Sequence, residues 1–160
     1  MKTTFLILFS FFTLLTAQGW AQESQYIEAP GKAFYKMPSG ELVYRELILQ
    51  VPDRGNGDVV LKSATEEART SIFFTRHKNG RVIFYVLFKN PPHAPEGTAL
   101  LLKGTYIRGS NQAIYWGDMF SKKIQEEKSL SLDNVEAAEV AAKKWNHLGG
   151  FWFAAAVATN

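Results

Sequence analysis

The chain contains no cysteine. It therefore has no disulfide framework, no thiol nucleophile, and no cysteine to carry a lipid behind a leader. Other absences narrow the field further. No Gly-x-Ser-x-Gly elbow occurs, so the serines are left in turns and polar stretches. No glycine-rich loop opens a helix, which leaves phosphate cradling without support. No His-Glu-x-x-His or comparable ligand spacing is present, and the chain holds just 3 histidines. There is no Asn-x-Ser/Thr glycan acceptor. Strong charge of one sign is missing as well. The formal net charge is +3, with no clustered basic stripe, so nucleic acid is not the expected partner.

The first residues are MKTTFLILFSFFTLLTAQGWAQ. Lys2 precedes an apolar run, and Gly19 and Ala21 stand where a signal peptidase requires small residues. Residues 1–21 are expected to be a removed signal peptide. The apolar run is shorter than the ~20 residues of a spanning helix. Residues 22–160 are then a single β domain, exported to a periplasmic or extracellular location, with stability drawn from packing alone. No segment of this mature chain is expected to span a membrane, since FWFAAAVA at 151–158 is too short for a helix.

Strand signals dominate after residue 30. Leu42–Val51 follows the turn at Met37-Pro38-Ser39-Gly40. Arg69–His77 and Arg81–Lys89 flank Asn79-Gly80, a strong hairpin signal. Thr98–Arg108 and Gln112–Ser121 flank Gly109-Ser110-Asn111, and Gly150–Thr159 makes a last strand. The segment Leu132–Trp145 breaks the pattern and reads as a helix. Asp133 would cap it, acids come early and lysines late, and Gly149-Gly150 would stop it. The fold class is all-β: an antiparallel meander of about eight strands forming a barrel or sandwich, with one helix before the last strand. In outline this resembles a calycin-type barrel. The Gly-x-Trp that lipocalins carry before their first strand is missing, because Gly19-Trp20 lies within the leader, and membership of that family does not follow.

An up-and-down meander sorts its loops by parity. Turns 53–57, 78–80 and 109–111 share one end; loops 37–40, 63–68, 90–97 and 122–149 share the other, more open end. Loops on a rigid sheet commonly carry binding, so the open end is expected to form a mouth. A three-residue turn at 78–80 places Phe74 opposite Phe84. A three-residue turn at 109–111 places Gly104 opposite Trp116 and Leu102 opposite Asp118. A slip of one residue would turn every one of these side chains over. Val82, Phe84, Val86 and Phe88 alternate with Ile83, Tyr85 and Leu87, so both faces of that strand are apolar and need cover. Ala137, Ala138, Ala141 and Ala142 of the helix could meet Ala154, Ala156 and Ala158.

The surplus of aromatics points to a non-enzymatic domain that binds an apolar or amphipathic small molecule. Its expected ligand-binding residues are Tyr85, Tyr106, Trp116, Asp118 and Trp152. The alternative is a structural or adhesive envelope protein whose aromatic face meets a partner or a second copy in a homo-oligomer. Neither a cofactor nor a metal is implied, since parity separates His77 from His93 and His147. Asp118 is the best single carboxylate, on a face with Ile114, Trp116 and Phe120. Arg45, Lys103 or amides of the 90–97 loop could neutralise it. It serves chemistry only if it faces a cavity; against the 122–149 connection it is a structural tie, and the tie is the preferred reading.

Overall fold

The computed structural model describes residues 26–37, 39–53, 57–125, 130 and 132–157. The expected leader, residues 1–21, and its expected cleavage site lie outside this range. Nine antiparallel strands make one sheet: β1 (Tyr26–Lys36), β2 (Leu42–Pro52), β3 (Val59–Lys62), β4 (Glu67–Thr70), β5 (Phe73–Lys78), β6 (Arg81–Lys89), β7 (Thr98–Arg108), β8 (Gln112–Lys123) and β9 (Asn146–Ala156). The helix α1 (Val135–Lys144) precedes β9. The order across the sheet is β4-β3-β2-β1-β9-β8-β7-β6-β5. Thus β9 returns to lie between β1 and β8, and the edges β4 and β5 are neighbours in sequence. Only Ser71 and Ile72 separate those edges, so the sheet must curl to bring them to one corner. There the Leu87 amide donates to the Ile72 carbonyl at 3.2 Å. The expected strand 69–77 is therefore split into two short strands at this corner.

The curled, barrel-like sheet has a concave face that is densely filled. Ala29 and Ala33 of β1, Leu47, Leu49 and Val51 of β2, Leu61 of β3 and Ala68 of β4 belong to the same buried cluster as Phe84, Phe88, Leu102, Tyr115, Phe151 and Phe153. Residues from opposite ends of the strand order can share one cluster only if the sheet wraps round them. The second apolar face of β6 and β7 is covered by α1: Tyr85 and Leu101 pack with Ala138, Ala141 and Ala142. A helix was expected to supply this cover, but against alanines of the last strand. Instead Ala154 is half-buried and Ala156 exposed, because the helix lies over the larger side chains two strands away. Ala158 is outside the described residues.

Local chemistry explains several departures from expectation. Asn134, not Asp133, caps the helix, its side chain accepting from the Ala137 amide at 2.8 Å. The helix ends at Trp145 and β9 starts at once, so Gly149 and Gly150 are strand residues rather than a helix stop. At the first hairpin Asn79 (φ 52°) and Gly80 (φ 72°) both adopt positive φ, the requirement of a two-residue type I′ turn. Lys78 then pairs with Arg81, which sets Phe74 opposite Tyr85 and Thr75 opposite Phe84. At the second hairpin Arg108 pairs with Ala113, and the Gly109 amide donates to the Gln112 carbonyl at 2.8 Å. That loop is one residue longer than expected. Lys103 consequently faces Asp118 and Gly104 faces Gly117. The slip turns Tyr115 and Met119 into the core, and puts Ile114, Trp116, Asp118 and Phe120 on the convex face.

Candidate functional site

The long-looped end does not form a mouth. Phe88, Leu100 and Met119 fill the concave face there, with Leu148 and Tyr35 packed against them. Three hollows are described, and the one at this end is a polar hollow on the 122–149 connection.

The largest has a volume of about 670 Å³ and lies on the convex face of β2, β1 and β9. Its position follows from what α1 leaves uncovered. The helix shields β6 and β7, while Pro30, Lys32, Glu46 and Ile48 on the outer face of β1 and β2 stay exposed. The pleat puts Pro30, Lys32 and Phe34 of β1 on that side, beside Glu46 and Ile48 of β2 and Trp152 of β9. Lys62, Ser63 and Ala64 close one edge as the chain leaves β3. Cross-strand pairing runs Glu46, Lys32, Trp152, Trp116, Thr105 in one row from β2 to β7. A second row runs Tyr44, Phe34, Gly150, Asp118, Lys103. The floor is thus aromatic and aliphatic, with two lysines and a glutamate round it. Trp152 is 48% exposed and Tyr44 is 54% exposed. Phe34 and Tyr44 pack edge to face with centroids 5.2 Å apart.

The second hollow, about 220 Å³, occupies the tight-turn end of the concave face. Its lining comes from Ile27, Val51, Pro52, Phe73, Thr75, Val82, Phe84, Tyr106 and Tyr115, with Asp53 and Arg108 at the rim. Tyr106 stacks on Tyr115 at a centroid distance of 4.7 Å, and Phe84 meets Tyr115 edge-on at 5.8 Å. Burial, and then the Tyr106 hydroxyl beside it, raise the Tyr115 hydroxyl far above the ordinary phenol range. It remains a neutral donor at any physiological pH. Arg108 forms an ion pair with Asp53. Asp53 follows β2 and Arg108 ends β7, so the pair crosses over β1, β9 and β8. The third hollow, about 360 Å³, is polar and lies between Lys122, Lys123, Gln125, Lys144 and Trp145.

The five residues singled out from the sequence do not converge on one point. Trp116, Asp118 and Trp152 are brought together on the convex face of β8 and β9, with Trp116 directly opposite Trp152. Trp152 lines the large groove. Tyr106 stands on the other face, in the wall of the small hollow. Tyr85 is buried under α1, where its hydroxyl donates to Glu139 at 3.1 Å. Burial first and this carboxylate second push the Tyr85 hydroxyl up to about 12.

Asp118 lines none of the three hollows. Its oxygen lies 3.0 Å from His147 Nε2, and the ring of His147 meets Phe120 edge-on at 5.4 Å. The cause is a register shift between Met119 and Phe120: Met119 pairs with Gly149 but Phe120 with His147. The bulge sends Leu148 to the core and His147 outward to Asp118. Arg45, Lys103 and the 90–97 amides are not its hydrogen-bond partners. The carboxylate ties the start of β9 to β8, with both side chains more than half exposed. Among the described residues no group of three or more His, Asp or Glu could hold a metal, and no helix is long and apolar enough to cross a membrane.

Phe34, Ile48, Lys32 and Glu46 of the groove, and Phe84 and Tyr115 of the small hollow, are not among the ligand-binding residues expected from the sequence; Arg108 belongs to a set of basic residues expected at the tight-turn end, diluted there by Asp53. Strand alternation would have grouped Lys32 with Phe34 and Glu46 with Ile48. Nothing local shows that β9 returns to bring Trp152 beside them. No family model, no curated protein and no solved structure matches this chain.

Proposed function

We propose that this chain is an exported, non-enzymatic binding protein that holds an amphipathic small molecule in the convex groove of β2, β1 and β9. The observation that carries this reading is the groove itself. Its volume of about 670 Å³ falls within the roughly 300–1,000 Å³ typical of small-molecule sites. The apolar portion of the ligand would lie over Trp152, Phe34 and Ile48, and its polar head would meet Lys32, Lys62 or Glu46. Native mass spectrometry of protein purified from its host compartment is expected to show a carried molecule. Trp152→Ala should release it while leaving the melting temperature nearly unchanged, since Trp152 is half exposed. Protein that emerges empty and binds no hydrophobic dye overturns the reading.

A second reading has its own observation. Leu42 and Tyr44, both more than half exposed, extend the apolar surface past the edge of the groove. Contiguous exposed apolar surface of this kind marks partner contacts, and a structural or adhesive role would bury it against a partner or second copy. Sedimentation over a range of concentrations separates the two: this reading expects association that Tyr44→Ser weakens, whereas the first expects a monomer.

A further inference from the structure

The small hollow at the tight-turn end differs from the groove in size and chemistry. Elsewhere the concave face is packed with side chains, yet here about 220 Å³ remains open between Phe84, Tyr106 and Tyr115. A cavity of about 150 Å³ with apolar walls is enough to take one benzene molecule. The hollow therefore accommodates a single aromatic ring with one small substituent. Phe73 and Phe84, with centroids 6.4 Å apart, and the stacked tyrosines give it walls that suit a flat ring. Its polar groups are confined to one side. The Tyr106 hydroxyl lies between Tyr115 and Arg108, and Arg108 stands at the rim with Nη1 engaged by Asp53. A guanidinium carries five N–H donors in a planar fork, so Arg108 can pair with a second carboxylate without moving far. The Arg108 side chain is 40% exposed and that of Asp53 12%, which leaves the cation accessible from the mouth and its partner tucked away.

We propose that this hollow is a binding site for a small single-ring aromatic carboxylate, ring inward among Phe84, Tyr106 and Tyr115 and carboxylate outward on Arg108. The site is independent of the convex groove and of the ligand proposed there.

The test uses benzoate, with benzyl alcohol as a neutral ring of similar size, titrated into the full chain and followed by amide chemical shifts in NMR. Saturable shifts are expected at Val82, Phe84, Tyr106 and Arg108. Benzoate should bind about tenfold more tightly than benzyl alcohol, the difference one charge-assisted hydrogen bond makes. Arg108→Gln should remove that preference. Asp53→Asn should strengthen benzoate binding, because it takes away the competing carboxylate. Both variants break the same ion pair and should lose similar stability, so opposite effects on benzoate separate a ligand site from a mere tie. Benzoate bound no better than benzyl alcohol, shifts centred on Trp152 and Ile48, or variants acting in the same direction would each overturn the proposal. If either variant fails to fold, the comparison of the two probes on the unmodified chain still decides.

Discussion

Tyr85 shows how much a single residue's role depends on what lies over it. In sequence it is one aromatic of an apolar strand; in the fold it is 1% exposed and its hydroxyl reaches Glu139 of α1, which Arg76 of β5 also contacts at 3.0 Å. Tyr85→Phe removes that hydrogen bond without opening a cavity, and should cost about 1 kcal/mol in chemical denaturation. The same tyrosine makes stability depend on alkaline pH. Burial and Glu139 raise its hydroxyl from 10.0 to about 12. Below pH 10 both folded and unfolded chains keep the proton, and the contribution is complete. Between 10 and about 12 the unfolded chain releases a proton that the fold retains, so stability falls. Burial raises Tyr35 and Tyr115 as well, and their contributions have the same sign. Phenolate absorbance of these three should therefore appear together with loss of β-sheet circular dichroism. Phenolate signal from all of them before any unfolding would show that they are not buried as described.

At the scale of elements, glycine positions separate two kinds of constraint. Gly80 sits in the type I′ turn with φ 72°, and a Cβ there would meet nothing within 4 Å. Gly80→Ala should cost about 1–2 kcal/mol, purely from placing a side chain in left-handed backbone. Gly104 faces Gly117 across β7 and β8, and a Cβ on Gly104 would lie 2.7 Å from both Phe84 and Phe151. The space is thus taken by the Trp116 carbonyl oxygen, 2.6 Å away, and by core phenylalanines rather than by the indole of Trp116. Gly104→Ala should cost about 1–3 kcal/mol or more from overpacking, and should disturb the side-chain signals of Phe84 and Phe151, which Gly80→Ala leaves alone. Equal and purely local effects from the two substitutions would contradict the register of this hairpin.

The whole molecule is a sheet whose edges meet at a single corner. The edge strand β4 and its neighbour β3 have four residues each, against eleven for β1, β2, β7 and β9. Amide hydrogen exchange should therefore be slowest in β8 and β9, which have long partners on both sides, and fastest in β4 and at Leu87, where one hydrogen bond joins the corner. Uniform protection across all nine strands would point to a more continuous closure. The meander, the late helix and the separation of tight turns from long loops were legible from chain punctuation, because Asn-Gly, Pro and Gly act over a few residues. The face each residue occupies was not. One extra residue in the 109–112 loop and one bulged residue at Leu148 reversed those assignments, and neither has a sequence signal of its own.

By itself the sequence determined the β class, the place of the helix, the loops that share an end, and the need to cover β6 on both faces. Each of these depends on local propensity or on the alternation of side chains along one strand. The tertiary structure alone decided where a ligand could go. It filled the concave face at the long-looped end, left a hollow in that face at the opposite end, and set Trp152 beside β1 and β2. Those outcomes depend on which strands become neighbours and on the register between them, and a shift of one residue there moves every side chain to the other side of the sheet.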